Sequence, residues 1–467
     1  MKSRILTLKD QSRDNAKSIV YIMSRDQRVK DNHALLAAQT EALEQKLPLI
    51  VAFVLLPKTG FRKREHFQFM IDGLRNVEKD LKKKNISFCM RSGTATSEIV
   101  KIANDFQPRS LYFDFSPLNG PRVTQKKVAD SIDCSAFVID THNIIPTWVA
   151  SDKEEFAAHT FRRKVHKQLE AWCVEPDELK RHPHDFSAKI SSLSWKDVDK
   201  LVSKIPKSGV MYNFESGEAA AREQLSTFLE DGLVDYAANR NDAAVDAQSN
   251  LSPYLHYGQL SSLRVMLESL KKSAEPPLLF RYVKMPNFEE APTEQDGIDA
   301  LLEELIVRKE LSDNFCFYQS NYMSIDGARE WAKKSLAKHE DDPRDFIYTL
   351  KQLNEATTHD NLWNAAQNQL RQSGKIHGYM RMYWAKKILE WTESPAKAIE
   401  IAIELNDTYT LDGGDPNGYV GILWSIAGLH DRAWFERSVY GKIRYMNANG
   451  AAKKFNSKKY IEQWQNK

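Results

Sequence analysis

The chain has 467 residues, with 66 Lys and Arg against 63 Asp and Glu and a net charge of +3. This length is enough for two or three domains, and the 42% of hydrophobic residues, with ten Trp, allow a large core. The small net charge excludes a uniformly basic nucleic-acid binder. Any contact with nucleic acid must therefore come from a local patch of positive charge.

The cysteines and the apolar runs restrict the compartment. Cys89, Cys134, Cys173 and Cys316 show neither metal-ligand spacing nor a disulfide framework, so we expect no metal site and a reducing, intracellular environment. The first residues lack the apolar core of a signal peptide, and no apolar run approaches membrane-spanning length. We expect a soluble, intracellular protein, cytoplasmic with access to DNA if the host is prokaryotic.

The first 150 residues alternate short apolar runs with amphipathic stretches, a rhythm that predicts a parallel sheet with helices on its faces. The predicted strands are Ile19–Met23, Leu49–Leu55, Ile86–Met90, Leu111–Phe115 and Ala136–Ile139, with helices over Asn32–Leu43 and His66–Lys83 between them. No G-x-G-x-x-G fingerprint occurs. Ligands bind such sheets at the carboxyl ends of the strands. The following segments therefore either line a pocket or are ordinary loops: Ser24–Lys30, Arg91–Thr94 and Ser116–Arg122.

The rest of the chain divides into a linker and a helical region. Residues 175–212 are polar and contain Pro176, Pro183 and Pro206, which predicts an interdomain linker in which His182 and His184 are solvated. This places one domain over 1–174 and a second over 213–467. Helical patterns in the second domain cover Glu218–Glu230, Leu260–Lys272, Gly297–Leu311, Ala328–Lys338, Phe346–Leu353, Leu362–Ser373, Met380–Trp391 and Pro395–Leu405. A short hairpin near the C-terminus is the only strand signal there.

The segment from His377 to Trp391 combines Met, Tyr and Trp with Arg381 on one predicted helix, whereas a plain core helix would use Leu, Ile and Ala. Trp384 and Trp391, seven residues apart, would share a helix face about 10.5 Å apart along the axis. With Leu405–Asp407, Asp412–Tyr419, Trp424–Trp434 and Lys442–Met446, this segment closely resembles the FAD domain of class II cyclobutane-pyrimidine-dimer photolyases.

The resemblance implies a fold and an activity. We expect an α/β Rossmann-like N-terminal domain with a parallel five-stranded sheet and a mostly α-helical C-terminal FAD-binding domain. The activity would be repair of dimers in UV-damaged DNA by electron transfer from excited, reduced, anionic FAD to a flipped-out dimer, by a monomer. In this family the first domain holds an antenna chromophore, a deazaflavin or a folate, and the resemblance does not choose between them.

The residues around Pro253 suggest a phosphate site. Ser252 before Pro253 predicts an N-cap and a first helical residue, and a helix N-terminus favours anions. The resemblance assigns flavin-pyrophosphate contacts to Tyr236, Ser249, Asn250, Leu251 and Ser252. Gln248 departs from the Thr that many relatives have before this serine. The alternative is an ordinary capped helix.

The resemblance also assigns the flavin ring. It places Asn406 near the flavin N5 and pairs Arg381 with Asp412, where positive charge and donors would stabilise a reduced flavin anion. The alternative is a buried structural ion pair. Trp384, Trp363 and Trp391 would form a photoreduction chain from the flavin toward solvent, with Trp384 nearest the flavin. The sequence leaves open whether Trp363 reaches the other two.

The lesion and DNA contacts follow from the same resemblance. Glu304 would hydrogen-bond the dimer, Met382 and Trp424 would form apolar walls, and Glu303 and Glu310 are expected on a solvated face. From Arg432 to Lys467 nine Lys and Arg and two acids give +7, a patch suited to phosphates or a solubilising tail. The predicted DNA contacts are Arg432, Arg437, Lys442 and Arg444, although His430, Asp431 and Arg432 alternatively form a local polar network.

Other functions remain as alternatives. A cryptochrome-like photoreceptor shares the scaffold, but the chain lacks a long disordered C-terminal extension and keeps Glu304, Met382 and the basic patch. A dark flavin oxidoreductase is disfavoured by the Trp chain and by the lack of a nicotinamide site. Repair of the six-four photoproduct usually relies on active-site histidines, and no matched pair is present.

Overall fold

The computed structural model describes residues 3–11, 13–58, 60–186, 190–281 and 292–465. Lys467, which was counted in the basic C-terminal patch, and the first two residues lie outside them. Of the described residues, none belongs to a helix long and apolar enough to cross a membrane, and no group of three or more His, Cys, Asp or Glu is arranged to hold a metal ion.

The N-terminal domain contains one six-stranded sheet with the strand order β1-β6-β5-β2-β3-β4. Its strands are β1 (Ile5–Lys9), β2 (Ser18–Met23), β3 (Leu49–Leu55), β4 (Ser87–Ser92), β5 (Pro108–Asp114) and β6 (Ser135–Ile139). Strands β2 to β6 pair in parallel, as predicted, but β1 adds an antiparallel edge beside β6, so the predicted count of five was wrong. The residues of β1 are exposed or half-buried and form no continuous apolar run, which is why the pattern missed this strand.

Alternate residues of the central strands face two different helical layers. Ile19, Tyr21 and Met23 of β2 belong to the hydrophobic core on one face of the sheet, whereas Val20 and Ile22 belong to the core on the other face. Strand β2 is buried along its whole length, as expected for a parallel strand covered on both faces. The order reverses between β2 and β5, and a crevice opens at the carboxyl ends of such strands in doubly wound sheets.

The helices of the first domain and of the predicted linker bracket this sheet. They are α1 (His33–Glu44), α2 (Arg64–Lys83), α3 (Ala95–Phe106), α4 (Asn119–Ser131), α5 (Thr147–Ala150), α6 (Ala158–His166), α7 (Leu169–Trp172) and α8 (Trp195–Val202). Helix α8 lies inside the predicted linker, where Ser194 caps it. The expectation that His182 is solvated was wrong, because it is fully buried and its ring contacts the carbonyl of Leu47 at 2.8 Å.

The described part of the second domain is helical. It contains α9 (Glu218–Thr227), α10 (Leu233–Asn239), α11 (Ser252–His256), α12 (Ser262–Lys272), α13 (Leu278–Arg281), α14 (Glu294–Leu302), α15 (Lys309–Tyr318), α16 (Glu330–Lys338), α17 (Leu350–Asn354), α18 (Asn361–Ser373), α19 (Gly378–Glu390), α20 (Pro395–Tyr409), α21 (Pro416–Ala427), α22 (Ala448–Ala452) and α23 (Ser457–Gln463). Shorter π-helical turns span Phe228–Gly232 and Glu303–Arg308, and a 3-10 turn spans Ile325–Gly327.

Three helical predictions differ from the structure. The stretch Glu218–Glu230 runs past the end of α9 at Thr227 into the π-helical turn Phe228–Gly232. The stretch Gly297–Leu311 is divided by the π-helical turn between α14 and α15, and hydrophobic periodicity cannot register one extra residue per turn. The predicted helix over Phe346–Leu353 begins only at Leu350, because Thr349 caps it and accepts from the backbone N–H of Gln352. The core of this domain gathers around α18, α19, α20 and α21.

Candidate active site

Three tryptophans of the second domain are in ring contact. Trp363 on α18 lies parallel to Trp384 on α19, with centroids 6.5 Å apart and an interplanar angle of 5°. Trp363 also meets Trp391 edge to face, with centroids 5.7 Å apart. Trp363 is therefore the middle member of the trio, which the sequence left open.

Two indole N–H groups of this trio donate hydrogen bonds within the protein. Trp363 Nε1 donates to the backbone carbonyl of Trp384 at 3.0 Å, and Trp384 Nε1 donates to Gln367 Oε1 at 2.8 Å. Gln367 is fully buried, and its Nε2 has no hydrogen-bond partner. A buried amide donor without a partner is costly, so a ligand with acceptor atoms fits beside Trp384.

The far end of the trio is covered rather than open. Trp391 is only 2% exposed and lies against the rings of Tyr348 and His359, with centroids 5.5 and 5.1 Å away. The tryptophan chain was expected to lead toward solvent, but its last member, Trp391, is covered by the rings of Tyr348 and His359.

Arg381 is held by Asn406 and not by Asp412. Arg381 Nη1 donates to Asn406 Oδ1 at 2.9 Å, and Asn406 Nδ2 donates to Asp407 Oδ1 at 2.9 Å. Among the described residues no ion pair joins Arg381 to Asp412, so that predicted pair was wrong. The reason is geometric: Asn406 lies on α20, which packs along α19, whereas Asp412 follows the end of α20 in a turn.

Asp407 extends this polar chain. Its carboxylate accepts from the backbone N–H of Gly414 at 2.9 Å and from the hydroxyl of Tyr419 at 3.2 Å. Burial raises the pKa of Asp407, although these hydrogen bonds oppose the shift. The amide of Asn406 is only 3% exposed, so its orientation is fixed from both sides.

The segment from Ser249 to Ser252 approaches a half-buried cation, Lys375. Lys375 Nζ donates to Asn250 Oδ1, and Asn250 has the left-handed backbone with φ of 57°. Ser249 accepts at its carbonyl from Gln224 Nε2 at 3.1 Å. Burial lowers the pKa of Lys375 to about 8, and among the described residues no carboxylate lies within 4.0 Å of it.

The predicted cap at Ser252 was wrong. Helix α11 begins at Ser252 itself, its N-cap is the buried Leu251, and no side chain caps it. Leu251 already has right-handed helical angles directly after the left-handed Asn250, so the turn starts one residue early. With only five residues, α11 provides a weaker dipole than the sequence suggested.

Glu304 lies within the π-helical turn Glu303–Arg308, a feature often found at functional sites. Its Oε1 accepts from Arg240 Nη1 at 2.9 Å, and its side chain is 45% exposed. The guanidinium of Arg240 lies 5.9 Å from the ring centroid of Tyr236. The structure thus links two predicted site residues, Tyr236 and Glu304, through an arginine that the sequence analysis did not select.

The expectation of a solvated face for Glu303 and Glu310 was wrong. The side chain of Glu303 is 12% exposed and accepts from Arg162 Nε at 3.0 Å. Glu310 is 3% exposed and accepts from the backbone N–H of Ile144 at 2.6 Å. Burial raises the pKa of Glu310 to about 8. Both acids face the first domain, which a single helical pattern cannot indicate.

Met382 and Trp424 are half-buried on the packed helices α19 and α21. The fully buried Lys386 lies over the ring of Trp424, with Nζ 5.1 Å from its centroid. Lys386 Nζ donates to the carbonyl of Ser425 at 2.8 Å, and burial lowers the pKa of Lys386 to about 7. Trp424 is therefore oriented by a neighbouring amine, while its partial exposure leaves a face open.

The four predicted DNA contacts lie on or beside a short hairpin, which had been expected near the C-terminus. Two backbone hydrogen bonds join its arms. The N–H of Arg437 donates to the carbonyl of Gly441 and the N–H of Trp434 to the carbonyl of Lys442, each at 2.9 Å. Arg432, Arg437, Lys442 and Arg444 are all exposed.

Two cations clasp the hairpin tryptophan. The guanidinium of Arg432 lies 5.1 Å and that of Arg444 lies 4.6 Å from the centroid of Trp434, whose Nε1 donates to Asp431 Oδ2 at 3.3 Å. Asp431 therefore takes part in a local polar contact with Trp434, while Arg432 and Arg444 remain exposed on the basic face. Phe435 beside Trp434 is 88% exposed, the largest such value among the large apolar side chains of the described chain.

The carboxyl ends of the central strands meet the second domain. Arg25 after β2 forms a two-pronged ion pair with Asp313 of α15, at 2.7 and 3.0 Å. Arg122 Nη1 donates to the carbonyl of Phe317 at 2.8 Å. Of the three segments proposed as pocket walls, those after β2 and β5 therefore serve the domain interface, whereas Arg91 forms a peripheral ion pair with Asp105.

Four polar residues near the predicted site had been missed. Arg240 follows Tyr236 at a spacing of four on one helical stretch, and Gln367 follows Trp363 at the same spacing, so neighbours on a helix face offered a signal. Lys375 and Lys386 had no sequence signal, because burial of a lysine depends on which helices pack around it.

Comparisons with known proteins agree with this arrangement. A family model described as DNA photolyase matches residues 19–183. The deoxyribodipyrimidine photo-lyase of Potorous tridactylus is 41% identical over 450 residues, covering 95% of this chain and 80% of that protein. A cryptochrome of Synechocystis sp. PCC6803 superimposes with a TM-score of 0.71 at 15% identity, over 97% of this chain and 89% of the other. An archaeal photolyase of Sulfolobus tokodaii, solved with two FAD molecules, gives 0.67 at 16% identity over 96% and 89%.

Proposed function

Because the chain belongs to the DNA photolyase family, we propose that it repairs cyclobutane pyrimidine dimers in DNA under light, as a deoxyribodipyrimidine photo-lyase. Bound FAD, in its reduced anionic form, would supply the photo-excited electron donor. The remaining argument concerns what the residues of this chain do for that chemistry: bind the cofactor, orient the lesion, reduce the bound flavin and hold the DNA.

The observation that carries the proposal is a pair of polar groups at the predicted cofactor site whose hydrogen-bonding or charge requirements the protein leaves unmet. Gln367 Nε2 beside Trp384 is a buried donor without a partner. Lys375 is a half-buried cation that donates to Asn250 and has no carboxylate within 4.0 Å among the described residues. A pyrophosphate would provide the missing anion for Lys375, and flavin or ribityl oxygens are suitable acceptors for Gln367. The donor set therefore fits a dinucleotide cofactor.

The ring-binding end would be formed by Arg381 and Asn406. Arg381 supplies a fixed positive charge, and it holds the amide of Asn406 with its oxygen toward the guanidinium. The amide nitrogen, already bonded to Asp407 through one N–H, keeps a second N–H, which suits the unprotonated N5 of an oxidised flavin. The amide oxygen keeps a second lone pair, which suits the N5–H of a reduced flavin. We assign Asn406 to the flavin N5, with Asp412 a more distant charge near Lys375.

The lesion would be bound by Glu304 between Met382 and Trp424. Arg240 holds the Glu304 carboxylate in place through their 2.9 Å ion pair, while the π-helical turn moves it out of the regular helix face. A flipped dimer presents carbonyl and N–H groups for the Glu304–Arg240 pair, and its apolar ring faces suit Met382 and Trp424. Tyr236 beneath Arg240 links this pocket with the cofactor side.

Trp384, Trp363 and Trp391 would return electrons to an oxidised cofactor. Their ring contacts at 6.5 and 5.7 Å form a continuous path in a dry core. Repair itself needs no electron from this path if the cofactor is already reduced, so the trio is an activation device.

The exposed hairpin would hold the duplex around the extruded lesion. Arg432, Arg437, Lys442 and Arg444 suit phosphates, and the exposed Phe435 beside Trp434 suits the gap left in the base stack. The antenna chromophore, a deazaflavin or a folate, would bind the first domain, and the protein would act as a monomer inside the cell. These finer assignments rest on the family resemblance.

A cryptochrome-like photoreceptor is the second candidate, since a cryptochrome shares the fold. The Glu304–Arg240 pair and the basic hairpin favour repair, because a photoreceptor needs neither. The first experiment is repair of a thymine-dimer oligonucleotide by the chemically reduced, FAD-loaded protein, read as recovery of thymine absorbance in light and in darkness. Recovery only in light is expected. No recovery, with FAD bound and damaged DNA retained, would overturn the repair assignment in favour of the photoreceptor.

A further inference from the structure

A pocket of about 260 Å³ opens beside the buried end of the tryptophan chain. Trp391 and Phe346 form part of its wall, together with Glu390, Arg344, Arg437 and Tyr445. Trp391 is 2% exposed, so a molecule inside this pocket would come within contact of an indole that bulk solvent barely reaches. The proposed function above uses two of its lining residues, Trp391 and Arg437, but places no molecule inside the pocket.

The polar lining of the pocket favours an anion. Arg344 Nη1 donates to the carbonyls of Glu340 and Asp342, at 2.8 and 3.1 Å, whereas its Nε and Nη2 are buried without hydrogen-bond partners. Unpaired guanidinium donors are costly, and a bound anion would satisfy them. Arg437 adds a second cation at the rim, over the ring of Tyr445 at 4.9 Å.

Of the two carboxylates in the lining, Glu390 is paired with Lys387. Glu390 Oε2 lies 2.6 Å from Lys387 Nζ and accepts from the hydroxyl of Tyr440 at 2.6 Å. Asp345 at the rim is exposed to solvent, so water screens its charge. The inner end of the pocket therefore combines free arginine donors with aromatic walls, a lining suited to a small, planar, anionic molecule.

We propose that this pocket binds a small enediolate reductant, of the chemical class of ascorbate, which reduces Trp391 after Trp391 has given an electron to Trp363. The proposal rests on the electron path assigned under the proposed function. The Trp391 radical cation accepts one electron and returns to the neutral indole. The enediol monoanion loses that electron and one proton, leaves as its radical anion, and releases the proton to water at the pocket mouth.

Binding would convert a slow collision with a covered indole into a step within a complex. The rate of Trp391 recovery should then rise with reductant concentration and reach a plateau. A reductant that only collides with the surface gives a rate that increases linearly without limit.

The test is flash photolysis of the FAD-loaded protein with oxidised cofactor, with the Trp radical absorbance followed over a range of ascorbate concentrations. We expect saturation in the wild type. Arg344→Gln should raise the half-saturating concentration about tenfold, the effect of losing one charge-assisted hydrogen bond. Ser438→Phe, which narrows the mouth, should abolish the plateau, and Arg371→Gln, at the last turn of α18, is the matched control that should change neither.

A second readout requires neither light nor turnover. Isothermal titration of ascorbate into the FAD-loaded protein in the dark should detect binding that Arg344→Gln weakens. Linear recovery with equal slopes in all variants would overturn the proposal, and so would absence of dark binding. Absence of any Trp radical in the wild type would instead contradict the assigned electron path, and dark binding would still decide whether this pocket is an anion site.

Discussion

Trp363 is fixed to Trp384 by two contacts at once. The rings are parallel at 6.5 Å, and the indole nitrogen of Trp363 donates to the backbone carbonyl of Trp384 at 3.0 Å. The second contact ties the ring of one helix to the backbone of the next, so the spacing between the indoles does not depend on side-chain packing alone. A buried Trp needs such a partner for its N–H.

Trp363→Phe should interrupt light-driven reduction of the bound flavin while sparing repair. Phe keeps an aromatic ring but cannot be oxidised easily. It also removes the indole hydrogen bond to the Trp384 carbonyl, at a cost of about 0.5–1.5 kcal/mol in unfolding free energy. The measurement is flavin bleaching under blue light with a thiol, beside repair by chemically reduced protein. Trp195→Phe, in α8 of the predicted linker, where the indole donates to Glu78 of α2, is the control. Undiminished photoreduction in Trp363→Phe would refute the proposed path.

Arg240→Gln should lower dimer repair with little effect on stability. The Arg240–Glu304 pair is partly exposed, and such pairs contribute only about 0–1 kcal/mol. If the pair binds the lesion, loss of a charge-assisted contact should weaken binding of dimer-containing DNA roughly tenfold or more. Binding of damaged and undamaged oligonucleotides and urea unfolding would be measured together.

Glu304→Gln should weaken binding of dimer-containing DNA to a similar extent, and Glu303→Gln is the matched comparison. Glu303 accepts from Arg162 and is largely buried, so Glu303→Gln should lower the unfolding free energy and leave damage recognition unchanged. Equal discrimination of damaged DNA by Glu304→Gln and the wild type would exclude Glu304 from the lesion pocket.

Glu310→Gln should flatten the pH dependence of stability. Burial raises the pKa of Glu310 in the folded protein from 4.5 to about 8. Between these values the unfolded chain has lost the proton that the folded protein keeps, so the contribution of Glu310 to stability is complete below about pH 4.5 and is lost as pH rises toward 8. Denaturant unfolding from pH 5 to 8 should show wild-type stability falling relative to Glu310→Gln. Parallel curves would contradict the shifted pKa, and Glu78→Gln, a partly exposed acid, controls for charge removal.

The fold was predictable where local pattern and burial agree. Strands such as β2 and β3 are continuous apolar runs, and α18, predicted over Leu362–Ser373, spans Asn361–Ser373. Strand β1 was missed because its residues remain partly exposed, and its place beside β6 is a long-range pairing. No pattern within a short window carries that information.

The site was predictable residue by residue, but its pairings were not. The motif selected Arg381, Asn406 and Asp412, yet the contact joins Arg381 to Asn406, since the packing of α19 on α20 decides which side chains meet. Likewise Glu303 and Glu310 read as surface acids, because one helical pattern cannot show that the opposite face is covered by the first domain. Lys375 is the clearest example: its environment is built by segments more than a hundred residues apart.

Phe435→Ser should weaken binding of dimers in duplex DNA more than in single strands. Phe435 is 88% exposed beside Trp434, which Arg432 and Arg444 clasp from positions suited to phosphates. An exposed aromatic on the first arm of a basic hairpin would fill the gap that a flipped dimer leaves, and single strands have no such gap. Base–aromatic stacking of about 1–3 kcal/mol predicts a loss of roughly tenfold or more in duplex affinity. Met211→Ser, at a side chain 84% exposed on the linker, is the matched control. An equal fall in affinity for single-stranded and duplex substrates would show that Phe435 contacts DNA without acting as a wedge. No change in either affinity would remove Phe435 from the interface.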